Sequence, residues 1–302
     1  MSKEIVQLDL KEEYSYWKRE FSFGVEDDLQ NKSPSVLYFW HRKTNKVVEL
    51  VRDNIDLFSP KDRESQKLFV ELGCGHGVEI FAIRSILEQK KDSFKYVGFE
   101  GAPKHLELCN LRRRFHLENC SESDNISFSW MDFAELKFPS HYGQADFLYC
   151  SEVIEHIPEP EKFLSKIHEF IAPGGYLILT TPNEPNVFQR SFWSSKRRKK
   201  MLKQVEQLRE TPRKFTCEGK EIDVYGHVSC KTIQAWEEIL KNTGFELVDF
   251  RRGAITHGHF RKSNDQSFLF GARLLVEAAF DLLPNKMSRP LSGQLIGLYR
   301  KR

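Results

Sequence analysis

The chain has 302 residues and sets 46 Lys and Arg against 43 Asp and Glu, a formal net charge of +3. So near a balance excludes a bulk electrostatic demand for nucleic acid or an acidic surface, and the length suits one large domain with additions better than two equal ones. Six cysteines (Cys74, Cys109, Cys120, Cys150, Cys217, Cys230) form no Cys-x-x-Cys pair and no zinc-like spacing, which fits free thiols in a reducing compartment.

Taken in order, residues 1–66 are rich in aromatics, among them Tyr14, Trp17, Phe21, Tyr38, Phe39 and Trp40. Helical spacing over Glu12–Phe21 and Lys46–Leu57 predicts a helical N-terminal cap laid over the rest. No apolar segment follows Met1, so no signal peptide is expected. From Lys67 to Arg302 the pattern alternates between strands and helices, as in a mostly parallel sheet covered on both faces. Strands are predicted at Leu68–Leu72, Tyr96–Phe99, Ile126–Trp130, Ala145–Cys150 and Tyr176–Thr180. The helices between them run from about Gly77 to Gln89, over Pro103–Phe115 and over Glu159–Ile171, and Pro173-Gly174-Gly175 is read as a turn.

Two insertions break the rhythm, at about 183–229 and 253–290. The first carries a basic run (Arg190, Lys196, Arg197, Arg198, Lys199, Lys200, Lys203), with Met201, Val205 and Leu208 on one side of a predicted helix. The second holds an apolar helix over Phe268–Leu283, which Arg273, Glu277 and Asp281 disqualify as a membrane span. A helix over Lys231–Asn242, a strand over Phe245–Phe250 and a last strand over Gln294–Tyr299 complete the pattern. A cytoplasmic protein is expected, with any membrane association peripheral and through residues 187–210.

The chemistry gathers at strand ends, where open α/β sheets bind ligands. Glu71-Leu72-Gly73-Cys74-Gly75-His76-Gly77 leaves little bulk where the chain turns, so a ligand can approach backbone amides at a helix N-terminus. The glycine spacing is not that of the dinucleotide fingerprint, and no Walker A lysine follows. Glu100 ends the second strand, where a carboxylate can accept two hydrogen bonds from a ribose diol. Asp132 can accept from an exocyclic amine, and the Phe133 ring can stack on a purine.

In this order the residues resemble the cofactor motifs of class I S-adenosylmethionine (SAM) dependent methyltransferases, over roughly 66–250. Ser151-Glu152-Val153-Ile154-Glu155-His156 resembles a Glu-Val-x-Glu-His signature of two subgroups. One is the ubiquinone-biosynthesis type of small-molecule O-methyltransferase, to which the motifs are most similar. The other is the small-RNA 3′-terminal 2′-O-methyltransferases. The resemblance implies a Rossmann-like seven-stranded sheet, mostly parallel with its last strand antiparallel, and SAM held by Glu71, Gly73, Cys74, Gly75, Gly77, Glu100, Gly101, Asp132, Phe133 and Ser151. It also implies methyl transfer to a hydroxyl of a small or amphipathic acceptor, with His156, His227 and Glu155 on the acceptor side.

Two alternatives stay open. One is an RNA 2′-O-methyltransferase with Mg²⁺ or Mn²⁺ held by Glu152, Glu155, His156 and His227. The aromatic signature that flanks the last histidine in that subgroup is missing here, so a metal-free site is favoured and nucleic acid ranks below a small molecule. The other alternative is a non-catalytic partner subunit built on the same fold.

Overall fold

The computed structural model describes residues 34–58, 66–88, 94–119, 125–184, 203, 206–207, 211–217, 220–255 and 267–302. The chain begins there with helix α1 (Pro34–Asp53) and a single turn, α2 (Ile55–Phe58). The α/β alternation follows as β1 (Lys67–Leu72), α3 (Val78–Leu87), β2 (Phe94–Glu100), α4 (Pro103–Asn119), β3 (Ile126–Trp130), β4 (Ala145–Ser151), α5 (Pro160–Phe170) and β5 (Ile171–Pro182). After a two-stranded hairpin, β6 (Arg213–Cys217) and β7 (Lys220–Val224), come α6 (Ile233–Asn242), β8 (Phe245–Phe250), α7 (Ser267–Asp281), α8 (Asn285–Ser288) and β9 (Gln294–Lys301).

Seven strands form one sheet in the order β3-β2-β1-β4-β5-β9-β8. β9 runs antiparallel to both its neighbours, while β1 to β5 are mutually parallel wherever they pair. This is the Rossmann-like arrangement the resemblance implies. The order reverses between β1 and β4, so a crevice opens beyond their C-terminal ends.

Both faces of the sheet are covered, which is why β1 is buried at every position and apolar at all but Lys67 and Glu71. Side chains alternate along a strand. Leu68, Val70 and Leu72 enter the core shared with Leu164 and Ile167 of α5 and Trp236 and Leu240 of α6. Phe69 enters the opposite core, with Val47, Leu50 and Val51 of α1 and Ile80, Phe81 and Ile83 of α3. Glu71 is in step with Phe69, so it too points towards α1 and α3. Lys43 stands four residues after the buried Phe39, four before Val47 and seven before Leu50, so it lies in the buried stripe of α1. These two periodicities bring a lysine and a glutamate to one place.

Three elements differ from the expectations. Pro173-Gly174-Gly175 is an irregularity inside β5, not a turn before it. Ala145 pairs with Ile171 and Phe147 already with Tyr176, and Gly174 takes φ +73° to absorb the extra residues. The first insertion carries the antiparallel hairpin β6–β7, in which residue 215 is in register with residue 222. The cap helix begins earlier than foreseen, at Pro34. The predicted helix over Glu12–Phe21 and the basic run over 190–203, save an exposed Lys203, lie outside the described residues. Among the described residues, no helix is long and apolar enough to cross a membrane.

Candidate active site

The turn after β1 is glycine-dependent. Gly73, Gly75 and Gly77 adopt φ of +73°, +54° and +74°, a region that L side chains occupy only at a cost. The amides of Gly73 and Cys74 both donate to Phe99 O, at 2.9 and 3.2 Å, tying the turn to the end of β2. A Cβ on Gly73 would lie 2.2 Å from Val153 Cγ2, whereas a Cβ on Gly75 would meet nothing within 4 Å. The first glycine is thus required by packing, and the second borders open space. Gly77 caps α3 with no side-chain acceptor at the helix N-terminus, so the helix presents its positive end to the crevice.

Glu100 is 7% exposed and held on both oxygens. Gly75 N donates to Oε2 at 2.7 Å and Ala102 N to Oε1 at 2.9 Å. Each oxygen keeps a further lone pair. Beyond β3, Asp132 Oδ1 accepts from Ala134 N at 2.9 Å, which fixes the turn that carries Phe133. The Phe133 ring lies against Gly101, where an added Cβ would stand 3.4 Å from it, and Trp130 Nε1 donates to Gly101 O at 3.1 Å. Cys74 Sγ sits 3.7 Å from Cys109 Sγ. Burial, then the neighbouring thiol, pushes the Cys74 thiol well above its usual range.

A polar cluster lies behind this turn. Glu79, in the first turn of α3, accepts from Thr44 Oγ1 at 2.7 Å, Tyr149 OH at 3.0 Å and Ser151 Oγ at 3.1 Å. Lys43 Nζ donates to Ser151 Oγ at 2.9 Å and pairs with Glu79 Oε1 at 3.2 Å. Burial works against ionisation of Glu79, but Lys43 and these hydrogen bonds outweigh it and hold the carboxyl below its ordinary value. Lys43, Thr44, Glu79 and Tyr149 were missed by sequence reading. The available signal was a lysine on the apolar stripe of an amphipathic helix.

Glu71 is the unsatisfied member. It is fully buried, and neither carboxylate oxygen has a hydrogen-bond partner among the described residues. Burial, then Glu79 and Cys109, pushes its carboxyl well above the usual range, with Lys43 opposing. A carboxyl raised in the folded state binds a proton that the unfolded chain has released, so stability falls as pH rises from about 4.3. Glu71→Gln should therefore stabilise the ligand-free protein at pH 8, with the advantage vanishing below pH ~4. Urea denaturation across that range checks this; an equal or lower stability of the variant at pH 8 would contradict it.

On the other side of β4 the chain turns sharply, with Glu152 at φ +51°. Its carboxyl is raised by burial, and Gln294 Nε2 donates to it at 3.4 Å. Glu155 is 1% exposed. Its Oε2 accepts from Thr181 Oγ1 at 3.0 Å, and burial, then Glu152, pushes its carboxyl well up. His156 Nδ1 lies 2.9 Å from Tyr225 O. A carbonyl oxygen only accepts, so Nδ1 carries the proton and Nε2 the lone pair in the neutral ring. Burial lowers the His156 pKa. The rings of His156 and His227 meet edge to face at 4.9 Å. Donor atoms of Glu155, His156 and His227 lie within 4.8 Å of one another, and Glu152 is not part of that group.

A family model described as a methyltransferase domain matches residues 39–249. The chain belongs to this methyltransferase family. Among curated relatives, a ubiquinone biosynthesis O-methyltransferase of Psychrobacter cryohalolentis is 26% identical over 117 residues, covering 39% of this chain and 41% of the relative. Its counterpart in Pseudomonas paraeruginosa is 28% identical over 117 residues, covering 39% and 45%. The chain thus matches less than half the length of either. Among solved structures, an S-adenosylmethionine dependent methyltransferase from Mesorhizobium loti has TM-score 0.43 and 13% identity, covering 84% of this chain and 100% of that one. The protein carries a class I SAM-dependent methyltransferase domain, loosely related to ubiquinone O-methyltransferases.

The methyltransferase fold implies SAM, and the residues present fit it. SAM carries an ammonium, a sulfonium and a ribose diol. The buried carboxyl of Glu71, which has no hydrogen-bond partner among the described residues, suits a cation, the space beside Gly75 admits a ligand to the backbone, and Glu100 retains lone pairs for a diol. Ser151, at the end of β4, is buried in the Lys43–Glu79 network.

Proposed function

We propose that the protein transfers a methyl group from SAM to a hydroxyl oxygen of a small or amphipathic acceptor. SAM, when bound, supplies an electrophilic methyl carbon on its sulfonium. Glu71, Gly73, Cys74, Gly75 and Gly77 would surround its methionine portion, Glu100 and Gly101 its ribose, and Asp132 and Phe133 its adenine. Catalysis then rests chiefly on alignment of the two reactants, with removal of one proton from the acceptor.

The observation that carries the acceptor side is the hydrogen bond from His156 Nδ1 to Tyr225 O. It orients the ring and leaves Nε2 as the acceptor atom, the arrangement a hydroxyl proton requires. Glu155, anchored through Thr181, and His227, packed on His156, complete that wall. The distant relationship to ubiquinone biosynthesis O-methyltransferases supports an oxygen acceptor.

An untargeted metabolite screen tests the reading by looking for a SAM-dependent mass gain of one methylene. Once an acceptor is in hand, His156→Ala should lower turnover by roughly 10²–10⁴-fold while SAM binds as before. Unchanged turnover would remove His156 from the chemistry. Failure of the folded protein to bind SAM at all would remove the function.

A further inference from the structure

His227 belongs to a second group of metal-ligating side chains. Donor atoms of Glu184, His227 and Cys230 also lie within 4.8 Å of one another, and all three residues are half-buried. We propose that Glu184, His227 and Cys230 bind a zinc ion.

The donor set decides the metal. A thiolate, an imidazole and a carboxylate form a mixed, borderline-soft set that selects Zn²⁺ over the oxygen-seeking Mg²⁺ or Mn²⁺. Cys230 releases its proton to solvent on binding. Its thiolate and the Glu184 carboxylate then balance the charge of the ion.

The backbone holds these donors in place. His227 and Cys230 flank a two-residue turn, and both amides within it, Val228 N and Ser229 N, donate to Glu155 O at 2.9 Å. Ser229 Oγ donates to Ile157 O at 2.5 Å, and both spacer residues are buried. The spacer is therefore fixed, and its flanking side chains are presented together. Glu184 arrives from just beyond β5, where Glu184 N donates to Lys231 O at 3.2 Å. Its neighbour Asn183 is locked by bonds to Ser292 O at 2.6 Å and from Ile233 N at 3.0 Å. Lys231, at the start of the same connection, pairs with Glu161 at 3.9 Å.

Access is provided as well. Glu184 and Cys230 line an open groove of about 830 Å³, bounded further by Lys231, Thr232, Glu238 and Asn242. Three protein ligands with solvent on one side leave a fourth position for water or a ligand atom, as in zinc sites that are not purely structural. The cysteine pattern shows no zinc spacing because two donors stand three residues apart while the third comes from far upstream.

The test uses the full chain, stripped with chelator and titrated with Co²⁺ in place of zinc. Uptake of one ion per chain is expected, with a thiolate-to-cobalt charge-transfer absorption in the near ultraviolet that added Zn²⁺ abolishes. Cys230→Ala should remove that absorption. It should also weaken zinc binding by more than the roughly 10–100-fold that loss of an outer-shell partner costs. Glu184→Gln should weaken binding but keep the absorption, and this variant carries the test if Cys230→Ala does not fold. No uptake, uptake without the charge-transfer band, or a band that survives Cys230→Ala overturns the site. Uptake without the band would point instead to the oxygen and nitrogen donors of Glu155, His156 and His227. None of these readouts depends on methyl transfer, and SAM titration of the zinc-free protein examines the functional reading separately.

Discussion

Gly73→Ala should cost the protein about 2–5 kcal/mol of stability and nearly all its SAM affinity. The first part of the loss, about 1–2 kcal/mol, is the left-handed backbone conformation forced on alanine. The second, about 1–3 kcal/mol, is the overlap of the new methyl with Val153 Cγ2 at 2.2 Å. Relief of that overlap must push β1 and β4 apart where the crevice opens. Gly75→Ala is the matched control, because it shares the positive φ but meets no neighbour within 4 Å. It should lose only the conformational portion of stability, while its methyl stands in the space assigned to the cofactor and still abolishes binding. Urea denaturation and calorimetric titration of both variants separate the two effects. Equal stability losses would show that the contact with Val153 carries no weight.

The second large effect is expected at Glu100. Glu100→Ala removes the acceptor for Gly75 N and Ala102 N as well as the proposed ribose contact. Hydrogen bonds to a charged group contribute about 1.5–3 kcal/mol. Affinity should therefore fall roughly tenfold to hundredfold. The ribose is common to SAM and its demethylated product S-adenosylhomocysteine, so both ligands should weaken by the same factor. A loss confined to SAM would place Glu100 near the sulfonium instead and overturn its assignment to the ribose.

How much of this was legible in the sequence depends on how local each signal is. The five parallel strands were readable because each is a short, largely apolar run that ends at a turn former or an acid: Gly73, Glu100, Asp132, Glu152 and Pro182. The antiparallel direction of β9 came only from family likeness, and its place between β5 and β8 only from the structure, since alternation carries no information about pairing order. Pro173-Gly174-Gly175 marks a backbone irregularity in either setting, and only the register with Ala145 and Phe147 puts it inside β5. Lys43 escaped notice because its partner Glu79 belongs to a different helix, and their meeting depends on how α1 lies across the sheet. Cys230 looked like an isolated thiol for the same reason: Glu184 reaches it only after β5 and the start of α6 are laid side by side.

The position of β9 has a consequence for how the chain reaches this state. β9 fills the gap between two strands that precede it, pairing Tyr176 of β5 with Arg300 and Phe245 of β8 with Lys301. Before residues 294–301 are in place, β5 and β8 both present bare edges, each a template for pairing with another chain. The core under α1 also lacks Ile296 and Leu298 until then. Such distant pairing postpones the enthalpic return until most loop-closure entropy has been spent, which makes the final step slow. The nascent methyltransferase is therefore at its most aggregation-prone just before its last strand docks. Slower synthesis at low temperature should raise the soluble yield by lowering the concentration of that half-closed sheet.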